Sequence, residues 1–183
     1  MTPRRAIPLI EFSDMEASTK LVPICTAQVQ RSQRDRFTSG ELWAQWARDY
    51  PSIFDQDDVR LARSQAHLGY HFYEWLAAVL LYHSCGYLSL VEQYQFKNHR
   101  RKHELLQRLV LPSVLEFISD RTAHGGVQCP DLLVYKPDLS DWFFCEVKGP
   151  GDKLSLQQEE YFGELAQQSG RQIRLVRFRM QRD

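Results

Sequence analysis

The stretch CPDLLVYKPDLSDWFFCEVKG, residues 129–149, decides the fold. Two apolar runs, LLVY and WFFC, flank a segment holding Pro137, Asp138, Ser140 and Asp141, all turn formers, so the stretch predicts a β-hairpin. Side chains alternate along a strand; Trp142, Phe144, Glu146 and Lys148 therefore share one face, and Phe143, Cys145 and Val147 the other. With the turn centred near residue 139, antiparallel pairing sets Asp131 opposite about residue 147 and brings its carboxylate close to Glu146 and Lys148.

Two carboxylates held this close repel unless a proton or a cation lies between them. An oxygen-lined site of this kind suits Mg²⁺ or Mn²⁺, which bind through one or two carboxylates plus phosphate oxygens. Such an ion acidifies water and neutralises a phosphate, while Lys148 is placed to position that water or offset charge on phosphorus. Phosphodiester hydrolysis is the natural reaction. An Asp at a strand start and a Glu/Lys pair two residues apart also occur as a plain surface ion pair, and the hairpin alone does not choose between the two.

Downstream, the pattern predicts a helix over 155–168, a stop at Gly170 and a strand in QIRLVRFRM (172–180). Upstream, Leu68, Phe72, Trp75, Leu76, Val79 and Leu80 recur at helical spacing, which predicts a central helix over 57–83, whole or broken near Gly69. A short helix is expected from Ser39 as cap up to Pro51, a strand over 87–96 and a basic helix over 97–109. Residues 113–126 stay open between strand and helix, with Gly125-Gly126 as a loop, and 1–38 are expected to be an irregular or partly packed arm.

With 23 basic and 23 acidic residues the chain has no overall field to recruit a polyanion, so nucleic-acid binding must come from local patches. KNHRRKH (97–103) is the strongest: Lys97, Arg100, Arg101 and Lys102 suit phosphate contacts, as does Arg174 from the C-terminal arginine cluster. The four cysteines show no CxxC spacing, the longest apolar run is far short of a membrane span, and MTPRRAIPLIEF lacks a signal peptide's core. These features set the expectation of a cytoplasmic protein with reduced thiols and no membrane contact. His67/His71 and His99/His103 have i, i+4 spacing without a third ligand, and Gly149-Pro150-Gly151 reads as a sharp turn rather than a phosphate loop, so no nucleotide cofactor is expected.

Pro130-Asp131 followed by Glu146-Val147-Lys148 resembles the PD-(D/E)XK nuclease signature, and EVKGPGDKLSLQQ (146–158) resembles the EVKGPxDxLSxxQ run of its VRR-NUC branch. Over residues 125–178 the resemblance implies an α/β, restriction-endonuclease-like core: a mixed central sheet flanked by helices, carried by 66–183, with 1–65 as an N-terminal arm and helical extension. It implies catalytic roles for Asp131, Glu146, Lys148 and Gln158, with Asp131, Glu146 and Val147 at the metal and Lys153 near DNA. The branch also carries a Glu on its first core helix. Glu74, expected mid-way along an all-apolar helix where a bare carboxylate is costly, is the candidate, with Glu92, Glu104 and Glu116 as alternatives. The activity implied is Mg²⁺- or Mn²⁺-dependent endonucleolytic cleavage of flap or branched DNA by a homodimer in repair, replication or recombination. A catalytically silent nucleic-acid-binding module, and a restriction, transposon-type or RNA-directed nuclease, are the alternatives.

Overall fold

The hairpin forms as strands β3 (Leu132–Tyr135) and β4 (Trp142–Lys148) in the computed structural model, which describes residues 21–54, 56–124 and 128–181. For residues 21–25, 56, 57, 61 and 62 the backbone alone is described. The turn closes through Lys136 N–H donating to the Asp141 carbonyl (2.9 Å) and Leu139 N–H to that of Lys136 (2.8 Å). Ser140 locks it by donating its N–H and Oγ to Asp138 Oδ1 at 3.0 and 2.7 Å. Leu132 pairs with Cys145 and Tyr135 with Trp142. The turn is thus centred half a residue earlier than the sequence suggested, and the same register carried one step further sets Asp131 opposite Glu146 rather than residue 147.

β2 (Leu88–Val91) pairs antiparallel with β3, while β5 (Ile173–Met180) pairs parallel with β4 and with β1 (Leu21–Val29). The result is a five-stranded mixed sheet in the order β1-β5-β4-β3-β2. β1 corrects the expected irregular arm over its described part; residues 1–20, and the expected 125–126 loop, lie outside the described residues. Pro23 is tolerated because β1 is an edge strand, and the register shifts between Pro23 and Cys25.

Alternation sorts the core into two layers. On one face Leu132, Val134, Phe143, Cys145, Val147, Val176 and Phe178 pack under α1 (Arg31–Thr38), α2 (Glu41–Asp49) and α4 (Phe72–Cys85). On the other, Leu133, Tyr135, Trp142, Phe144 and Ile173 pack under α5 (Arg100–Leu109), α6 (Pro112–His124) and α7 (Leu156–Ser169). Each α4 residue from Trp75 to Leu81 is buried, as expected of a helix apolar on all sides.

Several boundaries moved. The 57–83 helix is broken: α3 (Gln56–Gln65) and a 3-10 turn (Ala66–Leu68) end at Gly69, and α4 starts only after His71, both residues having positive φ (71° and 59°). Glu74 therefore sits in the first turn of α4, not mid-helix, where a carboxylate is favoured by the helix dipole. Ser39 ends α1 and Gly40 caps α2, in place of the expected Ser39 cap. The strand in 87–96 stops at Val91 because Glu92 and Gln93 take positive φ (46° and 55°) and turn the chain. Residues 112–124 form a helix. Among the described residues no helix is long and apolar enough to cross a membrane.

Candidate active site

One end of the sheet collects the ends of several elements: Glu92 after β2, Asp131 before β3, Glu146 and Lys148 at the end of β4, and the first turn of α7 with Gln158. The β2/β3 ladder continues one step beyond both strands through Glu92 N–H to the Asp131 carbonyl (2.8 Å). Just before it, fully buried Tyr94 donates its hydroxyl to the Pro130 carbonyl (2.5 Å), which fixes the backbone that aims Asp131.

Asp131 Oδ2 accepts the Val147 N–H at 2.7 Å, and Asp131 N–H makes a long contact, 3.4 Å, to Glu146 Oε2. Glu146, only 2% exposed, holds Lys148 Nζ 2.7 Å from Oε1. Gln158 bridges the pair: its Nε2 donates to Glu146 Oε1 (3.0 Å) and its Oε1 accepts from Lys148 Nζ (3.3 Å). The same side chain closes a capping box, Oε1 also accepting Ser155 N–H (3.2 Å) while Gln158 N–H donates to Ser155 Oγ (3.1 Å). The start of α7 thus positions the amide that orients both charged groups. Val147, whose buried side chain is apolar, can serve this site only through backbone atoms.

The charges do not balance. Burial, then the negative charges of Glu146 and Glu74, hold the Asp131 carboxyl well above the usual range. Burial raises Glu146 too, despite the opposing pull of Lys148. Glu74 is raised by burial and by Glu92 and Glu146. Carboxyls that repel across a shared site lack positive charge, and oxygen donors in this arrangement fit a hard divalent cation. Asp131 and Glu146, in contact through the Asp131 N–H at 3.4 Å, are the carboxylates that could hold it; Glu74 reaches them through its charge, while its ligand atom groups with those of His71 and Glu92.

After Lys148 the chain turns sharply, as expected for Gly149-Pro150-Gly151. Gly151 has φ +86°, Asp152 N–H reaches the Gly149 carbonyl (3.2 Å), and Pro then Gly at the two central positions is the type II pattern. Gly149 has no room for a side chain: an added Cβ would lie 2.8 Å from Tyr73 Cε2 and 2.9 Å from Asp152 Oδ2. Gly149→Ala is therefore expected to cost about 1–3 kcal/mol in urea denaturation, the usual cost of overpacking, and pairing it with Tyr73→Ala should recover part of that loss. An equal loss in the double variant would show that Tyr73 is not the obstacle.

The structure corrects the expected phosphate-contacting set. Lys102 is 3% exposed, ion-paired to buried Asp58 (2.7 Å) and donating to the Val91 carbonyl (2.7 Å), so it braces α5 against α3 and the end of β2. Arg101 reaches Asp58 at 3.1 Å and stays partly exposed. Lys97 and Arg100 are exposed, Arg100 bridged to Glu104 (2.7 Å), which takes Glu104 up in a surface pair. Arg174 pairs in register with Cys145, lies 3.9 Å over Phe143 and feels Cys85 at the far end of α4, on the face away from Lys148. Arg177, in register with Lys148, is the residue the arginine cluster brings to the site; its guanidinium donates to the Asp152 carbonyl (3.0 Å), and exposed Lys153 follows. Only the strand register could have chosen between the two arginines. His67 and His71 do not share a helix face, since Gly69 separates them, and His71 instead sets Nδ1 2.6 Å from Glu92 Oε1. Glu116 lies on α6, outside the group.

No curated protein matches the chain. A model of the VRR-NUC domain does, over residues 76–177, from the first turns of α4 through most of β5. That span is more than half of the chain and holds Asp131, Glu146, Lys148 and Gln158, while Glu74 falls two residues before it. On this match the chain belongs to the VRR-NUC domain family, a family of nucleases.

Proposed function

We propose that the chain is a divalent-metal-dependent DNA endonuclease of the PD-(D/E)XK type that cuts flap or branched DNA as a homodimer. The observation that carries this reading is the crowding of buried Glu146 with half-buried Asp131 and Glu74, beside the single amine of Lys148. Bound by these carboxylates, Mg²⁺ or Mn²⁺ would supply positive charge to a phosphate and acidify water. Lys148, oriented by Glu146 and Gln158, is placed to offset charge on the phosphoryl oxygens as the bond to the departing oxygen breaks. Hydrolysis with loss of the 3′ oxygen leaves a 5′-phosphate. Lys153 and Arg177, which flank the turn after β4, and Lys97 and Arg100 at the start of α5 supply phosphate contacts that position the substrate without reading its sequence.

The test is cleavage of end-labelled single-stranded, duplex, flapped and four-way-junction DNA, and of matched RNA, with Mg²⁺, Mn²⁺ or EDTA. Cutting of flapped or junction DNA that EDTA stops supports the reading. Replacing Lys153 and Arg177 by Ala should make the log–log salt dependence of binding shallower, by a slope of about 0.9 for each phosphate that is no longer neutralised. Binding without cutting under either metal would make the chain a silent nucleic-acid-binding module; preference for RNA would keep the hydrolysis and change the substrate.

A further inference from the structure

A second set of ligand-type side chains borders the first. His71, Glu74 and Glu92 each offer one ligand atom, and these atoms all lie within 4.8 Å of one another. They come from two places in the chain, the start of α4 and the residue after β2. Glu74 is the member that points to a ligand: it is half-buried, and among the described residues the only hydrogen bond its carboxylate has is to its own backbone N–H. Carboxylates withdrawn from water are costly unless compensated; the His71 imidazole, ion-paired to Glu92 at 2.6 Å, offsets part of that charge and becomes a metal donor when an incoming cation displaces its proton.

We propose that His71 Nδ1 with the carboxylates of Glu74 and Glu92 forms a second cation site, selective for a first-row divalent ion such as Mn²⁺ over Mg²⁺, which shares Glu74 with the Asp131–Glu146 site. Selectivity follows from donor type: Mg²⁺ is bound almost wholly by oxygen, whereas an imidazole nitrogen suits the transition ions. The separations fit as well. Nitrogen and oxygen donors about 2.0–2.2 Å from an ion stand roughly 3.0–3.5 Å apart. His71 and Glu92, now 2.6 Å apart, need to part by less than about 1 Å, and Glu74, within 4.8 Å of both, to close by at most about 2 Å; side-chain rotation covers both. Glu92 and His71 keep their places because each is fixed by backbone, Glu92 through its N–H to the Asp131 carbonyl and His71 through its carbonyl, which accepts the Trp75 N–H (3.0 Å) at the first turn of α4. The sharing of Glu74 rests on the nuclease reading above; the second site itself does not.

The experiment is a titration of the full chain with Mn²⁺ alone, without nucleic acid, counting bound ions by the loss of the free-ion electron paramagnetic resonance signal. Wild type is expected to bind two ions, of which excess Mg²⁺ displaces one. His71→Asn and Glu92→Gln should each weaken one of them at least about tenfold, the lower end of what loss of even an outer-shell partner costs. Asn tolerates the left-handed backbone at 71 and Gln is isosteric at 92, and melting in EDTA shows which variant to trust if one folds poorly. Two ions of unchanged affinity in both variants overturn the second site. Should wild type bind one ion, lost in His71→Asn and Glu92→Gln but kept in Asp131→Asn, the second site stands and the Asp131–Glu146 cation falls; the converse pattern overturns the second site and leaves the nuclease reading intact.

Discussion

Lys148→Ala is expected to lower the rate of metal-dependent DNA cleavage by about 10²–10³-fold, the usual cost of removing one preorganised group that meets developing charge. Lys148 stands 2.7 Å from Glu146 Oε1, and its position depends on Gln158 as well. Truncation removes the amine and also leaves Glu146, 2% exposed, without its counter-charge. Breaking one side of a buried pair typically costs about 3–5 kcal/mol, but a carboxyl already raised by burial has an escape: it takes up a proton. The variant should therefore be near wild type in stability at acid pH and lose stability as pH rises. Single-turnover cleavage at saturating metal, with urea denaturation at two pH values, separates the two effects. A variant as stable as wild type at both pH values that still cuts within about tenfold of its rate would remove Lys148 from the chemistry.

The hairpin was legible because its determinants are local: alternation, a Pro-Asp-x-Ser turn, and the two-residue spacing that puts Glu146 and Lys148 on one face. Gln158 was legible only by resemblance, yet its structural reason, the capping box with Ser155, is also local. What failed was non-local. The run KNHRRKH reads as a set of phosphate contacts, but Lys102 is buried against Asp58, 44 positions earlier and invisible to any pattern in the run. β1 was missed because LVPICTAQV carries a proline and polar residues that an interior strand would exclude and an edge strand accepts. Glu74 does reach the sheet end, but by a route the helical spacing hid: the left-handed residues Gly69 and His71 delay the helix start, so its carboxylate arrives from a helix N-terminus rather than from mid-helix. Arg177 and Arg174 are equivalent in sequence, and register alone gives Lys148 the former as neighbour.

Asp131→Asn should make the metal-free protein more stable at neutral pH while abolishing its stabilisation by Mg²⁺. The folded chain holds the Asp131, Glu146 and Glu74 carboxyls above their ordinary values, through burial first and mutual repulsion second. Folded protein therefore binds more protons than unfolded chain between about pH 4, where unfolded carboxyls titrate, and the raised folded values. Stability of the metal-free protein must then fall as pH rises through that window and level off above it. Asn at 131 keeps an oxygen to accept the Val147 N–H but carries no charge, so it takes away the largest contributor to that fall. Metal acts in the opposite sense, because it binds the deprotonated carboxylates: its stabilisation grows with pH, reaching about 2.7 kcal/mol at a concentration one hundred times the dissociation constant. Melting curves across pH 4–8 in EDTA and in excess Mg²⁺ should thus diverge with rising pH for wild type and run together for Asp131→Asn. Parallel wild-type curves with and without metal would mean that no cation answers the charge gathered at this end of the sheet, and the carboxylates would then have to be neutralised by protons alone.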